Sequence, residues 1–221
     1  MNLKSYDRQY FSERIFKEPD LALQHVLLEH VVQTPTRGKK VLDVGCGLGI
    51  YISFLRKYGI EAYGVDASYY AARISKQSIA SATHLPFGSE VFDAIISAHL
   101  IEHLKESDEV TFLKEARRIL RPGGRLFLLT PNTWCPIKLF YGSKWFYDPA
   151  HINLQSPSNL KKTLQRCVFS NNTFIFKMPP NVEEPIGIKE RLKYLSYFLA
   201  SSTPLAYFRP VIYVLAKKPM L

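Results

Sequence analysis

The sequence predicts an α/β fold built on a mainly parallel sheet of seven strands in a single domain. Two observations carry this. From residue 35 onward, short apolar runs alternate with helix-length stretches, the pattern of successive βαβ units. Gly and Pro residues such as Gly38, Gly59 and Pro122-Gly123-Gly124 punctuate that alternation where one element must end. At 221 residues the chain is long enough to bury a substantial core, and 47% apolar content marks it as globular rather than disordered.

Residues 1–34 read as an N-terminal helical extension or lid. Tyr6, Tyr10 and Phe11 sit in a polar context. Pro19 then opens an amphipathic helix whose positions Leu21, Leu23, Val26, Leu27, His30 and Val31 fall near helical spacing, closed by Thr34-Pro35-Thr36-Arg37-Gly38. Residues 35–221 form the main domain. The run Val41-Leu42-Asp43-Val44 predicts a buried first strand over 41–44, and the stretch that follows predicts a helix over 48–58, stopped by Gly59. A second strand over 62–65 and a helix over 69–76 come next, then a short third strand over 78–80. The fourth strand covers 92–97, and a helix over 108–120 is turned by Pro122-Gly123-Gly124 into a fifth strand over 125–129. A helix over 158–167 and strands over 173–177 and 211–217 complete the pattern. Two additions interrupt it, at about 131–157 and 180–209. In such sheets ligands bind beyond the carboxyl ends of the strands, where strand order reverses.

Charge and cysteine usage narrow the function classes. The 29 Lys and Arg against 19 Asp and Glu give a net charge of +10. Arg117, Arg118, Arg121, Arg125, Lys138 and Lys144 fall in a stretch without an acid. Such a field suits nucleic acid, peripheral contact with an anionic membrane or a phosphorylated substrate, as well as a basic enzyme with solvated lysines. Cys46, Cys135 and Cys167 are odd in number and lack CxxC spacing, which argues against a disulfide framework and fits a cytoplasmic location. No leader-like segment opens the sequence, and the apolar stretch over 195–208 is too short to span a bilayer.

The motif that carries most information is Asp43-Val44-Gly45-Cys46-Gly47-Leu48-Gly49, set between the first strand and its helix. Glycines there let the backbone turn tightly and approach a ligand. Asp66 ends the second strand about 20 residues later, where an acid can accept hydrogen bonds from both hydroxyls of a ribose. Together they predict an adenosine-type cofactor. A dinucleotide would call for G-x-G-x-x-G with a pyrophosphate at a helix N-terminus; this loop is spaced Gly45-x-Gly47-x-Gly49.

The pattern D-x-G-x-G-x-G resembles the first motif of class I S-adenosylmethionine-dependent methyltransferases. The segments Ala82-Thr83-His84-Leu85-Pro86-Phe87, Val91-Phe92-Asp93-Ala94-Ile95-Ile96-Ser97 and Arg118-Ile119-Leu120-Arg121-Pro122-Gly123-Gly124-Arg125-Leu126 are similar to that family's later motifs. The likeness extends to its type 11 and ubiquinone-pathway O-methyltransferases. It implies a Rossmann-like three-layer sandwich with a doubly wound seven-stranded sheet whose last strand is antiparallel. It also implies a site for S-adenosylmethionine, with S-adenosylhomocysteine as product, formed by Asp43, Gly45, Cys46, Gly47, Asp66, Ala67, Ser81, Ala82, Leu85 and Ala98. Ser81 stands where many relatives carry an acid facing the adenine, a weaker partner.

For the chemistry, His103 and His151 are the candidate bases, since imidazole titrates near neutral pH. The expectation is metal-free transfer. The alternative is a divalent metal on His99, Glu102, His103 and His151, because a helical His99-Leu100-Ile101-Glu102-His103 segment would align three ligands on one face. Aromatics Trp134, Trp145 and Tyr147 are expected near the acceptor. The Leu192, Leu195, Phe198 and Leu199 stripe in 186–207 suits a surface helix, a lid, a dimer face or an interfacial helix. The acceptor expected is a small or lipid-linked molecule methylated on oxygen. An RNA acceptor and a non-catalytic S-adenosylmethionine-binding module are the alternatives. Acceptor identity and oligomeric state stay open.

Overall fold

The computed structural model describes residues 11, 19, 21–33, 37–135, 148–174 and 211–220. Tyr6, Tyr10, Trp145, Tyr147, the addition at 180–209 with its 186–207 stripe, and residues 136–147 of the one at 131–157 lie outside them. Helix α1 (Leu21–Val26) continues into a π-helical turn, Leu27–Val32, where the Gln33 amide reaches back to the Leu28 carbonyl at 2.9 Å. The single helix expected there is therefore two segments of different winding. Then come β1 (Lys40–Val44), α2 (Ile50–Lys57), β2 (Glu61–Asp66), α3 (Tyr69–Ser75), β3 (Ser78–Ile79) and β4 (Phe92–Ala98). After a 3₁₀ turn at Ile101–His103 follow α4 (Glu106–Ile119), β5 (Leu120–Pro131), α5 (Pro157–Arg166), β6 (Ser170–Phe174) and β7 (Val211–Lys217).

The seven strands form one sheet in the order β3-β2-β1-β4-β5-β7-β6. The pairs from β3 to β5 are parallel, and β7 runs antiparallel to both β5 and β6. Strand order therefore reverses between β1 and β4, which fixes where a ligand cleft must open. Side-chain alternation splits the core into two layers. Along β5, Leu126 and Leu128 face one layer with Phe112, Leu113, Ala116 and Ile119 of α4 and Leu160 and Leu164 of α5. Phe127 and Leu129 face the other, with Leu23 and Val26 of α1, Leu27 and Val31 of the π turn, and Phe54 and Leu55 of α2. Each of these large side chains, fully buried, contributes about 1.5–3 kcal/mol, which holds the helices to both faces.

Three element starts differ from the sequence reading. Helix α2 starts at Ile50 because Gly45, Gly47 and Gly49 all adopt positive φ, which no continuous helix accepts. Strand β5 begins at Leu120, not at 125: Phe92 pairs with Leu120 and Ala94 with Arg125, so Arg121–Gly124 bulge out of the ladder. Strand β6 starts earlier than expected, at Ser170. Serine caps set the starts of α3 and α5, where Ser68 Oγ accepts from Ala71 N and Ser156 Oγ from Asn159 N, both at 3.2 Å. Among the described residues no helix is long and apolar enough to cross a membrane.

Candidate active site

The cleft opens at the carboxyl ends of β1, β2 and β4, over the point where strand order reverses. Its walls include Gly45 and Gly47, Asp66 and Ala67, Ser81 and Ala82, and His99 and His103. Gly45 shows why the loop needs glycine: φ is +76°, and a Cβ there would meet Leu100 Cδ1 at 3.1 Å. The loop is tied down from within. Gly45 N and Cys46 N both donate to the Val65 carbonyl at 2.9 and 3.1 Å, and Gly49 N donates to the Cys46 carbonyl at 2.9 Å. Gly47 N donates to Asp66 Oδ2 at 2.8 Å. Amides already spent in this way are not available to cradle a pyrophosphate.

Asp66 does two jobs. Its other oxygen accepts from Ser68 N at 2.8 Å, so it clamps the glycine loop to the start of α3. A carboxylate offers about four lone-pair positions, which leaves acceptor capacity for hydroxyl groups. Burial raises the Asp66 pKa, against the lowering effect of those two amide bonds. Asp43 lies deeper, 1% exposed, and neither carboxyl oxygen has a hydrogen-bond partner. Burial, then the neighbouring charge of Asp66, pushes the Asp43 carboxyl well above the usual carboxylate range. A bare buried carboxylate is costly, and a cation beside it would remove the cost.

The expected cofactor residues divide accordingly. Gly45, Gly47, Asp66, Ala67, Ser81 and Ala82 line the cleft, whereas Asp43, Cys46, Leu85 and Ala98 do not. Burial pushes the Cys46 thiol far up, so it stays a neutral thiol. Leu85 is buried, its amide donating to Glu115 Oε2 at 3.1 Å. Ser68, Ala80, Leu100 and Leu104 also line the cleft and escaped the sequence reading. Only Ser68, a helix-capping type three residues before Ala71, left a readable signal. Phe11 lies over the loop: a Cβ on Gly47 would sit 3.4 Å from its Cε1, and its ring stacks near Tyr70 at 6.0 Å between centroids.

A histidine group occupies the β4 side. The continuous helix that would align His99, Glu102 and His103 does not form. His99 takes a left-handed φ of +54° at the strand end, and the 3₁₀ turn starts two residues later. His99 still reaches Glu102, Nδ1 to Oε1 at 3.1 Å, while Glu102 Oε2 accepts from Thr130 Oγ1 at 2.9 Å. Burial would raise the Glu102 carboxyl, but the His99 bond and the imidazole charges hold it below its ordinary value. His103 Nδ1 lies 3.0 Å from the Ala150 carbonyl, which can only accept. The neutral ring therefore carries its proton on Nδ1 and its lone pair on Nε2. His151 packs edge-on against His103, ring centroids 4.7 Å apart, and its buried Nδ1 has no hydrogen-bond partner. Burial, then His103, lowers the His151 pKa and keeps that ring neutral at pH 7. Ligand atoms of Glu102, His103 and His151 all lie within 4.8 Å of one another; His99 does not join them.

The loop carrying His151 is held by a buried acid that sequence gave no reason to single out. Glu109 on α4 is 1% exposed, and its Oε2 accepts from Asn153 Nδ2 at 2.6 Å and Gln155 Nε2 at 3.0 Å. Asn153 N donates to the Glu102 carbonyl at 3.0 Å, so the loop is stitched to the histidine turn. Glu109→Ala would take the carboxylate acceptor from Asn153 Nδ2 and leave Gln155 Nε2 with its bond to Asn153 Oδ1 at 2.9 Å. The expected loss is about 1–3 kcal/mol in urea unfolding; an unchanged midpoint would show that water replaces the carboxylate. Ile152, the neighbour of His151 in the chain, is 56% exposed, and Trp134 is 43% exposed.

Residues 11–171 match the model of a family described as a methyltransferase domain. Among curated proteins, the chain is 28% identical over 139 residues to a ubiquinone biosynthesis O-methyltransferase of Mesorhizobium japonicum, covering 58% of this chain and 51% of the relative. It is 32% identical over 120 residues to the chloroplastic tocopherol O-methyltransferase of Arabidopsis thaliana, covering 48% and 33%. The chain thus spans 51% and 33% of the length of these relatives. Among solved structures, an S-adenosylmethionine-dependent methyltransferase from Archaeoglobus fulgidus superposes with a TM-score of 0.67 at 20% identity, over 96% of this chain and all of that one. At that identity the likeness is one of fold.

Proposed function

Since the chain belongs to the methyltransferase-domain family, we propose that it is an S-adenosylmethionine-dependent methyltransferase acting on the oxygen of a small or lipid-linked acceptor. One observation carries the cofactor. The loop's amides are committed to the Val65 carbonyl, Asp66 and the Cys46 carbonyl, yet two carboxylates, buried Asp43 and half-buried Asp66, stand around it. That donor set fits a ligand with an ammonium group and ribose hydroxyls and no phosphate. Asp43, behind the cleft wall and within reach of the Asp66 charge, supplies the counter-charge for the amino group, Asp66 receives the hydroxyls, and Ser81 and Ala82 border the adenine. When bound, the cofactor supplies a methyl group on a positively charged sulfur that leaves as a neutral thioether.

The remaining work falls to the chain. An oxygen acceptor must lose a proton as it is methylated, and His103 Nε2 is the atom that takes it, with Nδ1–H anchored on Ala150 O. His151, neutral and in contact with His103, shields that position from water. Phe11 covers the glycine loop, and Trp134 and Ile152 give the acceptor an apolar surface. Much of the rate then comes from holding acceptor and methyl in line. The O-methyltransferase names of two relatives, both of lipid-soluble products, support oxygen and an apolar acceptor.

A second reading has a specific observation behind it: Glu102, His103 and His151 are spaced to ligate a divalent cation. Against it, both Glu102 oxygens already accept hydrogen bonds, from His99 and Thr130. Isothermal titration with S-adenosylhomocysteine tests the cofactor reading directly. Micromolar binding is expected, weakened at least about 100-fold in Asp66→Ala, which removes two or more charge-assisted acceptors. No binding by the folded protein would sink it. Once an acceptor is found, turnover that survives chelator separates metal-free transfer from the second reading.

A further inference from the structure

The basic stretch that begins at Arg117 is not absorbed by the methyl-transfer site, and most of its described members have structural partners. Arg118 is bonded to Glu115 at 2.7 and 2.8 Å and caps the Leu85 and Phe87 carbonyls. Arg121, ion-paired with Asp93, and Arg125 share a second setting. They flank the β5 bulge and open into a second cavity, of about 250 Å³, at the opposite end of the sheet from the cofactor cleft. Lys39, just before β1, and Lys217, the last residue of β7, line the same cavity.

Four cationic residues from three places in the chain, Lys39, the β5 pair Arg121 and Arg125, and Lys217, thus line one concavity. Asp93 is the one acid among its lining residues, and it is already engaged: Arg121 Nη1 lies 2.9 Å from both of its oxygens, and Lys40 N donates to Oδ2 at 2.8 Å. The site is half-enclosed rather than a solvated face. Burial is the cause that lowers the Arg125 pKa, so its guanidinium has lost water. Lys217, though flanked by Lys218, does not share its partners: Lys218 Nζ turns away to Glu90 at 3.1 Å and to the Leu120 carbonyl at 2.7 Å. The cavity wall also contains Gln33, held at φ +61° and ψ 150°, a backbone region that is nearly glycine-only. Such strain persists where the surroundings impose it, and it concentrates at binding sites.

We propose that this cavity binds a phosphate-bearing anion, either a free phosphate compound or the headgroup of an anionic lipid. The chemistry is common to both. Two guanidinium forks, one of them partly neutralised by Asp93, and two ammonium groups present an excess of positive charge in a partly desolvated pocket, where charge-assisted hydrogen bonds to phosphate oxygens are strongest. The Gly123 amide is already committed to the Lys218 carbonyl, so recognition rests on side chains, and it falls with salt.

Full-length protein titrated with inorganic pyrophosphate at low ionic strength tests this. Binding is expected in the wild type. It should weaken at least about tenfold in Arg125→Gln and in Lys217→Gln, as loss of one charge-assisted contact requires. The control Lys57→Gln with Lys76→Gln, on surface away from the cavity, should leave it unchanged. Sedimentation with phosphatidylcholine vesicles, with and without phosphatidylglycerol, separates the sources: capture only by the anionic vesicles identifies a headgroup, and pyrophosphate binding without capture identifies a free compound. Should Arg125→Gln fail to fold, Lys39→Gln reads the same cavity from its other rim. Folded wild type that binds neither pyrophosphate nor anionic vesicles overturns the proposal. So does binding that the control pair weakens as much as the cavity variants do.

Discussion

Asp43→Asn is expected to raise the melting temperature of the ligand-free protein while abolishing its stabilisation by S-adenosylhomocysteine. Most substitutions at a 1% exposed position destabilise, so the sign is diagnostic. The argument starts from the two unpartnered carboxyl oxygens. Because burial and Asp66 raise the folded-state pKa, the native protein binds a proton more tightly here than the unfolded chain does. Stability then falls as pH rises from the ordinary aspartate range through the folded value, and above that value the whole penalty is present. An uncharged amide removes the part of the penalty due to charge, on the order of 1 kcal/mol or more, which for a chain of this size is about 2–4 °C or more. The same change deprives a bound ammonium of its counter-charge, and binding should weaken by at least about 100-fold. Thermal melts with and without S-adenosylhomocysteine read both. A variant that melts lower and still binds would show that Asp43 is a core residue and not the partner of a cation.

That penalty explains why such a residue survives in a buried strand. In Val41-Leu42-Asp43-Val44 the flanking residues pack into the two core layers, and hydrophobic economy would place an apolar residue at 43 as well. On the proposed reading, an apolar residue at 43 would lack the counter-charge for the cofactor's cation, and a less stable empty state goes with a site completed on occupation.

The parts legible in sequence were those fixed by local chemistry. The glycine loop needs positive φ at Gly45, Gly47 and Gly49, and the mainly parallel sheet follows from the alternation of runs. The antiparallel last strand is implied by the family resemblance alone, and β7 runs antiparallel. What was not legible depends on pairings across long sequence separations. Glu109 meets Asn153 and Gln155 from 44 and 46 residues away, and nothing around Glu109 distinguishes it from a solvated helix acid such as Glu106. The His99–Glu102 contact was reached by the wrong route: a helix was expected, and a left-handed residue ahead of a 3₁₀ turn makes it instead. His103 and His151 were chosen for their titration range alone, and the structure adds their contact and the Ala150 bond that sets which nitrogen holds the lone pair.

That bond makes His103→Asn the sharpest probe of the chemistry. The asparagine amide nitrogen occupies nearly the place of Nδ1, so it can still donate to the Ala150 carbonyl and keep the loop that carries His151 in position. What disappears is Nε2. If Nε2 takes the acceptor's proton, kcat should fall by about 10²–10⁴-fold while S-adenosylhomocysteine affinity stays within about threefold, because the cofactor's holding residues are untouched. The defect should shrink for an acceptor whose hydroxyl is more acidic, since a nucleophile already ionised needs no base. It should also shrink as pH rises toward the acceptor's own pKa. A purely steric role for His103 predicts the opposite: an equal loss for every acceptor at every pH. A role as metal ligand predicts that the wild type loses activity with chelator and that His151→Asn is as damaging as His103→Asn. Measuring kcat for both variants against pH, with two acceptors of different acidity and with chelator present, separates the three, and equal rates for wild type and His103→Asn would remove His103 from the reaction altogether.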